Sequence, residues 1–213
     1  MKSNAIDVGS NIGNHAIYFS RYFEKVFAIE PSKIAYKILK LNIQMNNIKN
    51  IVTKNIALSS NHSIKKFNDS HKYNLSVSST SFIKNKTQLI RLETFKGDDV
   101  FANIKNIGLI KLDIEGHEYD AILGMKKIIA KNMPIILFEA NKESKYTNST
   151  FGLLNKMGYS FWAIEDERLP AMNRLLKFLY CIIFGWRVFL YKIELPNLES
   201  HRLVISLPHN GNL

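Results

Sequence analysis

Short apolar runs alternate with segments of helical spacing along the first quarter of this chain. An apolar run from Ile6 to Val8 precedes a glycine turn, after which apolar residues recur at helical spacing from His15 to Phe23. Two further runs, Val26–Ile29 and Ile51–Ala57, flank a predicted helix from Lys33 to Asn46. Strands that alternate with helices over short connections are typical of a parallel sheet covered on both faces.

The predicted helix from Lys33 to Asn46 has a defined start. Pro31 cannot continue a central strand, and Ser32 is a suitable N-cap for the helix that follows it. The large apolar residues that fall on one face of this helix are Ile34, Ile38, Leu41 and Met45.

The same alternation continues in the second half of the chain. The strands predicted there are Leu89–Phe95, Leu109–Leu112, a run from Pro134 to Glu139, Tyr159–Ile164 and His201–Leu207. The predicted helices are Lys96–Asn103, a helix that begins near Gly116 with Tyr119, Ile122, Leu123 and Met125 on its buried side, and Thr150–Lys156. We therefore predict a single α/β domain over residues 1–213.

Two segments interrupt the pattern. Residues 59–87 are rich in Ser, Asn and Lys and predict a surface excursion, either mobile or laid over the functional site as part of a lid. Residues 170–195 form an apolar and basic insertion, and its uncharged core of nine residues is far too short to span a bilayer. For residues 174–192 we favour a buried helix pair or a subunit contact, and a segment lying in a membrane interface is the alternative.

Composition limits the class of protein and its compartment. The single cysteine, Cys181, excludes a disulfide framework and a zinc site among cysteines. No secretory signal precedes the first strand, so we expect a cytoplasmic protein, with a peripheral position at the inner membrane face as the alternative. The net charge of +11 suits an anionic partner, although dispersed lysines also give a solvated basic surface. A homo-oligomer is compatible with these observations.

The glycine turn and the acids around it predict a nucleoside site. Gly9 and Gly13 permit a sharp turn and a close approach of backbone to a ligand, and the next helix presents free N–H groups. Glu30 ends the second apolar run, where a carboxylate can accept hydrogen bonds from both hydroxyls of a ribose. The position that a dinucleotide fingerprint reserves for its second glycine holds Asn11, which disfavours NAD(P), and no P-loop pattern occurs.

Two stretches together resemble a known family. The sequence IDVGSNIG at the glycine turn, IKLDIEGHE from Ile110 to Glu118 and the return PIILFE are similar to those of the FkbM-type methyltransferases. The resemblance covers roughly residues 5 to 165. It implies the class I methyltransferase fold, a seven-stranded, mostly parallel Rossmann-like sheet whose last strand is antiparallel. It also implies S-adenosyl-L-methionine as cofactor and O-methylation of sugars, polysaccharides, glycolipids or related polyols.

The resemblance also implies which residues hold the cofactor. Asp7 would face the amino group of the methionine moiety, and the end of the third strand at Ala57 would lie beside the adenine. Relatives usually carry helices before the first strand that cover the cofactor or shape the acceptor site. We therefore expect either that other segments supply the lid here or that this chain is a trimmed relative. The predicted cofactor-binding residues are Asp7, Gly9, Asn11, Gly13, Glu30, Ser32, Ala57 and Asp113.

Catalysis is predicted at the carboxyl ends of the fourth and fifth strands, where ligands of open α/β sheets bind. A sugar hydroxyl has a high pKa, so a general base would assist its attack on the methyl group. Asp113 or His117 is the candidate base, and Glu139 is a further catalytic candidate at the end of the fifth strand. Glu115 and Glu118 either contact or support the acceptor or are first-turn acids that favour the helix N-terminus. His15 is more typical of a helix start than of a ligand, and no cluster has metal-ligand spacing.

Three functions from different classes remain open at this point. The first is an O-methyltransferase for a glycan or small polyol. The second is an RNA methyltransferase, although no N-P-P-Y-type motif, paired catalytic cysteines or aromatic-basic platform is present, so nucleic acid is not the expected partner. The third is a methyltransferase-like binding module without catalytic activity.

Overall fold

The structure is a computed structural model that describes residues 2–68, 89–114, 116–140, 146–166, 188–194 and 201–209. Its strands are β1 Asn4–Val8, β2 Val26–Ile29, β3 Ile51–Lys54, β4 Ala57–Ser59, β5 Ser63–Asn68, β6 Leu89–Lys96, β7 Ile107–Leu112, β8 Ile135–Ala140, β9 Tyr159–Asp166, β10 Val188–Ile193 and β11 His201–Pro208. Its helices are α1 Asn14–Phe19, α2 Lys33–Met45, α3 Gly97–Val100, α4 Glu118–Gly124, α5 Lys126–Asn132 and α6 Thr147–Lys156.

The main sheet has eight strands in the order β10-β9-β11-β8-β7-β1-β2-β3. The five strands from β3 to β8 along this order are parallel, and β11 is antiparallel to both β8 and β9. This arrangement confirms the predicted Rossmann-like sheet with an antiparallel last strand. Because the central strands are covered on both sides, β1 and β7 are almost entirely buried, as parallel strands usually are.

The predicted count of seven strands is one too few for the main sheet. The eighth strand, β10, pairs antiparallel with β9 at the edge and comes from the end of the predicted insertion 170–195. Residues 188–192 of the segment 174–192 are therefore strand and not helix. The remainder, residues 174–187, lies outside the described residues, so its contact with core, subunit or membrane stays a prediction. No helix in the described ranges is long and apolar enough to cross a membrane.

A second sheet of three strands, in the order β4-β6-β5, lies beside the main one. The predicted third strand, Ile51–Ala57, was too long: β3 ends at Lys54, and the chain enters the small sheet at Ala57. The start of the predicted polar excursion 59–87 is also more regular than expected, because Ser63–Asn68 pairs along its whole length with β6. Residues 69–88 lie outside the described residues.

Four predicted helices have different bounds in the structure, including the last, which begins at Thr147 rather than Thr150. The first ends at Phe19, four residues before the predicted end, and the one predicted over Lys96–Asn103 is a single turn, Gly97–Val100. The helix predicted from near Gly116 is divided at Met125 into α4 and α5. The Asp98 carboxylate caps α5 by accepting hydrogen bonds from the N–H groups of its first turn, Lys127 and Ile128. On α4 and the break after it, Ile122 and Met125 are buried as predicted, whereas Tyr119 and Leu123 are half-buried.

The face of helix α2 that packs against the sheet is not the face predicted from the apolar pattern. Ala35 and Leu39 are buried, while Ile34, Leu41 and Met45 are 60%, 56% and 79% exposed. The four residues predicted to share a face do share one, because they recur at intervals of three and four. That face is nonetheless turned mostly to solvent, because the neighbouring face with Leu39, Tyr36 and Ile43 packs against the residues of β1 and β2.

Candidate functional site

The glycine turn after β1 is held tightly between the two neighbouring strands. The N–H groups of Gly9 and Ser10 donate to the Ile29 carbonyl at 2.9 and 3.0 Å, and the N–H of Asp113 donates to the Val8 carbonyl at 3.0 Å. Gly9 has a φ of +76°, and a Cβ at this position would overlap the Asp113 carbonyl oxygen. Only glycine therefore allows the turn to lie this close to the end of β7.

The remainder of the turn has a similarly constrained backbone. Asn11 has a φ of 49°, a left-handed conformation that asparagine tolerates better than most residues. Gly13 has a φ of +99°, and a Cβ there would meet the side chain of Leu39 on α2. These two residues explain the N-x-G that ends the pattern D-x-G-x-N-x-G, and Asn11 lies exposed between the ends of β1 and β2.

The Glu30 carboxylate joins the glycine turn to the start of α2. Its Oε2 accepts a hydrogen bond from the Asn11 N–H and its Oε1 accepts one from the Ser32 N–H, both at 2.8 Å. Ser32 also caps α2 as predicted, because its hydroxyl accepts a hydrogen bond from the Ala35 N–H. Asn55 donates to the Glu30 carbonyl at 2.7 Å and so fixes the segment before Ala57, which is buried at the start of β4. The structure thus brings three of the predicted cofactor residues, Asn11, Glu30 and Ser32, together.

Three charged side chains form an array at the ends of β1 and β7. Asp7 and Lys111 are directly paired in the parallel register. The Lys111 ammonium lies 3.2 Å from Asp7 Oδ1 and 3.3 Å from Asp113 Oδ2. Asp7 is fully buried and Lys111 is 5% exposed, whereas the Asp113 side chain is 48% exposed. Asp113 therefore presents the accessible carboxylate of this array, and Asp7, whose predicted contact with the cofactor stays a prediction, is buried against Lys111.

A second polar cluster connects the start of α4 with the small sheet. His117 Nε2 lies 3.1 Å from the Ser59 hydroxyl, and the Lys65 ammonium donates to the same hydroxyl at 2.7 Å. Lys65 also pairs with Asp120 at 3.0 Å, and Asp120 lies 3.6 Å from His117 Nδ1. We name these four residues, Ser59, Lys65, His117 and Asp120, the His117 cluster. Ser59 is buried, the other three side chains are partly exposed, and His117 lies four residues beyond Asp113 along the chain.

The surroundings of His117 favour the neutral imidazole. Burial lowers its pKa, the Lys65 ammonium lowers it further, and the Asp120 carboxylate opposes both effects. The pKa of Asp120 is itself lowered: its burial acts in the opposite direction, but the hydrogen bond and the charge of Lys65 outweigh it. An imidazole that stays neutral near pH 7 can accept a proton, as a general base must.

Glu118 has a structural environment. The side chain is buried in the first turn of α4, and its Oε1 accepts a hydrogen bond from the Gly116 N–H at 3.1 Å. Burial raises its pKa, against backbone hydrogen bonds that lower it, and the nearby Asp113 charge adds to the increase. The carboxyl group therefore orders the connection between β7 and α4, as expected of a first-turn acid.

The other predicted residues are more scattered. Glu139 lies on β8 and is exposed. Glu115 lies outside the described residues. His15 is exposed on α1 with its ring 6.1 Å from that of Phe19, so it has the surface position predicted for it. Within the described ranges, no group of three or more His, Cys, Asp or Glu residues could hold a metal ion.

Sequence reasoning missed Lys111, Ser59, Lys65 and Asp120. A signal existed for Lys111, because a lysine inside the apolar strand IGLIKL must be paired if that strand is central. No comparable signal existed for Lys65, which lies in a polar segment among many other lysines. Its partners come from elements 6 and 55 residues away, and only the pairing of the small sheet brings them together.

The strand order, with a glycine turn after β1 and acids after β2 and β7, defines the class I methyltransferase fold. A family model described as the methyltransferase FkbM domain matches residues 7–161, which is more than half of the chain. This chain belongs to the FkbM methyltransferase family, as the sequence motifs predicted.

Solved structures share this fold at low sequence identity. The methyltransferase FkbM from Methylobacillus flagellatus KT is 19% identical with a TM-score of 0.52, and the match covers 90% of this chain and 44% of that one. Precorrin 8w decarboxylase from Methanobacterium thermoautotrophicum is 13% identical with a TM-score of 0.51, covering 96% and 80% of the two chains. This chain thus spans less than half the length of the FkbM structure. No curated protein matches the sequence significantly.

Proposed function

We propose that this chain transfers the methyl group of S-adenosyl-L-methionine to a hydroxyl oxygen of a sugar, a polysaccharide or glycolipid, or a related polyol. Membership of the FkbM methyltransferase family supports methyl transfer. The observation that carries the proposal is the position of Glu30 and Asp113, which follow the two strands on either side of β1 and its glycine turn. The acceptor class rests on the resemblance of the motifs.

The residues around the glycine turn fit the two ends of the donor. The Glu30 carboxylate accepts the N–H groups of Asn11 and Ser32 and so lies at the end of β2, where a carboxylate can bind the hydroxyls of a ribose. The half-exposed Asp113 carboxylate, on the other side of the turn, suits the ammonium of the amino-acid end. When bound, S-adenosylmethionine supplies a methyl group on a positively charged sulfur. The sulfur is a good leaving group, because it departs as a neutral thioether.

His117 is the residue that we assign as general base. An acceptor hydroxyl loses its proton as the new O–C bond forms, and a neutral imidazole near the reacting oxygen can take it. The low pKa of His117 keeps the imidazole neutral, and its hydrogen bond to Ser59 fixes the ring. The chain's remaining task is alignment, because holding an acceptor in line with the methyl group removes most of the entropic barrier.

Calorimetry with S-adenosylhomocysteine, the demethylated product, tests the donor site. We expect the wild-type chain to bind it and Glu30→Ala to weaken binding about tenfold or more, because hydrogen bonds to a carboxylate from the turn and the ribose are lost. Glu24→Ala is the matched control, since Glu24 is exposed and lies before β2 rather than after it. Equal affinities of Glu30→Ala and wild type would contradict the assignment.

A labelled methyl donor tests the acceptor. The chain is incubated with polysaccharide fragments, glycolipids and RNA, and transfer is measured for each class. Label on a glycan hydroxyl supports the proposal. Salt-sensitive transfer to RNA would instead identify an RNA methyltransferase, and tight binding of S-adenosylhomocysteine without transfer to any acceptor would identify a non-catalytic binding module.

A further inference from the structure

Lys111 is an unusual residue for its position. It lies near the end of a central strand between Ile110 and Leu112, both of which are buried, and it is itself 5% exposed. A buried ammonium is costly unless charges of opposite sign surround it. Lys111 meets this requirement with two carboxylates, Asp7 on the neighbouring strand and Asp113 just beyond its own.

The array runs from the core to the surface. Asp7 is closed to solvent, and its second oxygen, Oδ2, has no hydrogen-bond partner within the described structure. Lys111 holds the first oxygen of Asp7 at 3.2 Å and one oxygen of Asp113 at 3.3 Å. Only Asp113 has substantial exposure, so any ligand at this end of β7 meets Asp113 first.

The charge of the array points to a cationic ligand group. Two carboxylates and one ammonium sum to a formal charge of −1, and Asp113 is the carboxylate of the array that a ligand can reach. The backbone of Asp113 abuts Gly9 and its N–H is bonded to Val8, so this end lies directly against the glycine turn. An ammonium group carried by a ligand of that turn would complete the array.

We propose that Lys111 is a positioning residue which, anchored by Asp7, holds the Asp113 carboxylate in place to receive the ammonium group of the donor. This inference rests on the proposed function and deepens it. The chain then selects nucleosides that keep the amino-acid end through a lysine that faces no ligand itself. Asp7 acts only through Lys111, although its place in the motif suggests direct contact with the cofactor.

The test compares two ligands that differ at the amino-acid end. S-adenosylhomocysteine carries this end, and 5′-methylthioadenosine replaces it with a methyl group while keeping adenine, ribose and sulfur. We expect Asp113→Asn and Lys111→Met each to lower the affinity for the first ligand about 10- to 100-fold. Their affinity for 5′-methylthioadenosine should stay close to that of wild type. Decarboxylated S-adenosylhomocysteine keeps the amino group, so the two substitutions should lower its affinity as they lower that of S-adenosylhomocysteine.

Controls separate positioning from folding. Lys111→Met leaves the Asp7 carboxylate buried without a partner and should lower the melting temperature. The matched variant is therefore Asp7→Asn/Lys111→Met, in which both charges are removed and the melting temperature should recover. We expect the double variant still to lack the preference for S-adenosylhomocysteine over 5′-methylthioadenosine. Lys111→Arg should restore selectivity, because a guanidinium can span two carboxylates. Lys126→Met, at an exposed lysine of α5, should match wild type in all measurements.

The outcomes are distinct. A double variant with wild-type selectivity, or a Lys111→Met variant that loses both ligands equally, would overturn the inference and leave Lys111 a purely structural residue. A wild-type chain that binds neither ligand would instead contradict the proposed function. Collapse of selectivity in the folded double variant, with recovery in Lys111→Arg, supports the positioning role.

Discussion

The Asp7–Lys111–Asp113 array and the His117 cluster lie beside the same strand end but are built in different ways. The array joins two adjacent central strands in register, and two of its three side chains are buried. The His117 cluster joins α4 to strands of the small sheet, and its charged side chains are about one-fifth to one-third exposed. The first is therefore fixed by the core, and the second depends on how two sheets meet.

We infer from this difference that the array and the His117 cluster have different roles. A buried array changes little when the surface moves, which suits recognition of a constant cofactor. A cluster at the junction of two sheets can adjust when an acceptor binds, which suits the catalytic step. Each is held in place by a glycine whose added Cβ would meet a backbone carbonyl: Gly9 for the array and Gly124 for the cluster.

The largest effect is expected from Gly9→Ala. The substitution puts a side chain at a φ of +76° and against the Asp113 carbonyl, so it should cost about 2–5 kcal/mol of stability. Binding of S-adenosylhomocysteine should be lost with the geometry of the turn. Urea unfolding and calorimetry measure the two effects.

Gly152 provides the matched control for this substitution. It lies in α6, and a Cβ there would meet nothing within 4 Å. Gly152→Ala should therefore be stabilising by roughly 0.5–1 kcal/mol, because alanine is the better helix former. Equal effects at Gly9 and Gly152 would show that the turn tolerates a side chain and that the array is less rigid than inferred.

A smaller and more selective effect is expected from Gly124→Ala. Its Cβ would overlap the Ser59 carbonyl and push α4 away from β4, at a cost of about 1–3 kcal/mol. Because this separates His117 from Ser59, methyl transfer should fall while the affinity for S-adenosylhomocysteine stays within about threefold of wild type. Loss of cofactor binding equal to that of Gly9→Ala would mean that the two clusters are one unit.

The smallest effect is expected from Lys65→Met, which should change pH dependence more than stability. The Lys65–Asp120 pair is partly exposed, so its loss should cost only about 0.2–1 kcal/mol. Burial is the main cause of the low pKa of His117 and would remain, but the contribution of Lys65 would disappear. The pKa of His117 should therefore rise, and the acidic limb of the pH–rate profile should move to higher pH.

The stability of the wild-type chain gives a second measure of this effect. Because the folded pKa of His117 lies below its ordinary value of 6.5, the unfolded chain takes up the proton first as pH falls. The contribution of His117 to stability is thus complete above about pH 6.5 and decreases below it. Lys65→Met should make that decrease smaller. Lys40→Met, at an exposed lysine of α2, should leave both profiles unchanged.

Prediction from sequence succeeded where the determining interactions are local. The alternation of strands and helices, the N-cap at Ser32 and the position of Glu30 at the end of β2 follow from neighbours in the chain. The face of α2 shows where this reasoning stops. Periodicity identified the stripe from Ile34 to Met45, but a second stripe containing Ala35 and Leu39 has the same period, and the sheet packs against that one.

The glycine turn with flanking acids after the first strand can be inferred from neighbouring residues, because glycine, asparagine and carboxylate each restrict the backbone there. The contact of Lys111 with Asp7, 104 residues away, cannot be inferred in this way, since it exists only through the parallel register of β1 and β7. The tertiary structure also decided that Lys65 would join His117, because strand pairing in the small sheet carries a lysine from a polar segment to the start of α4. The conformation of a turn depends on residues that are neighbours in the chain, whereas the partner of a buried charge depends on which strands lie side by side.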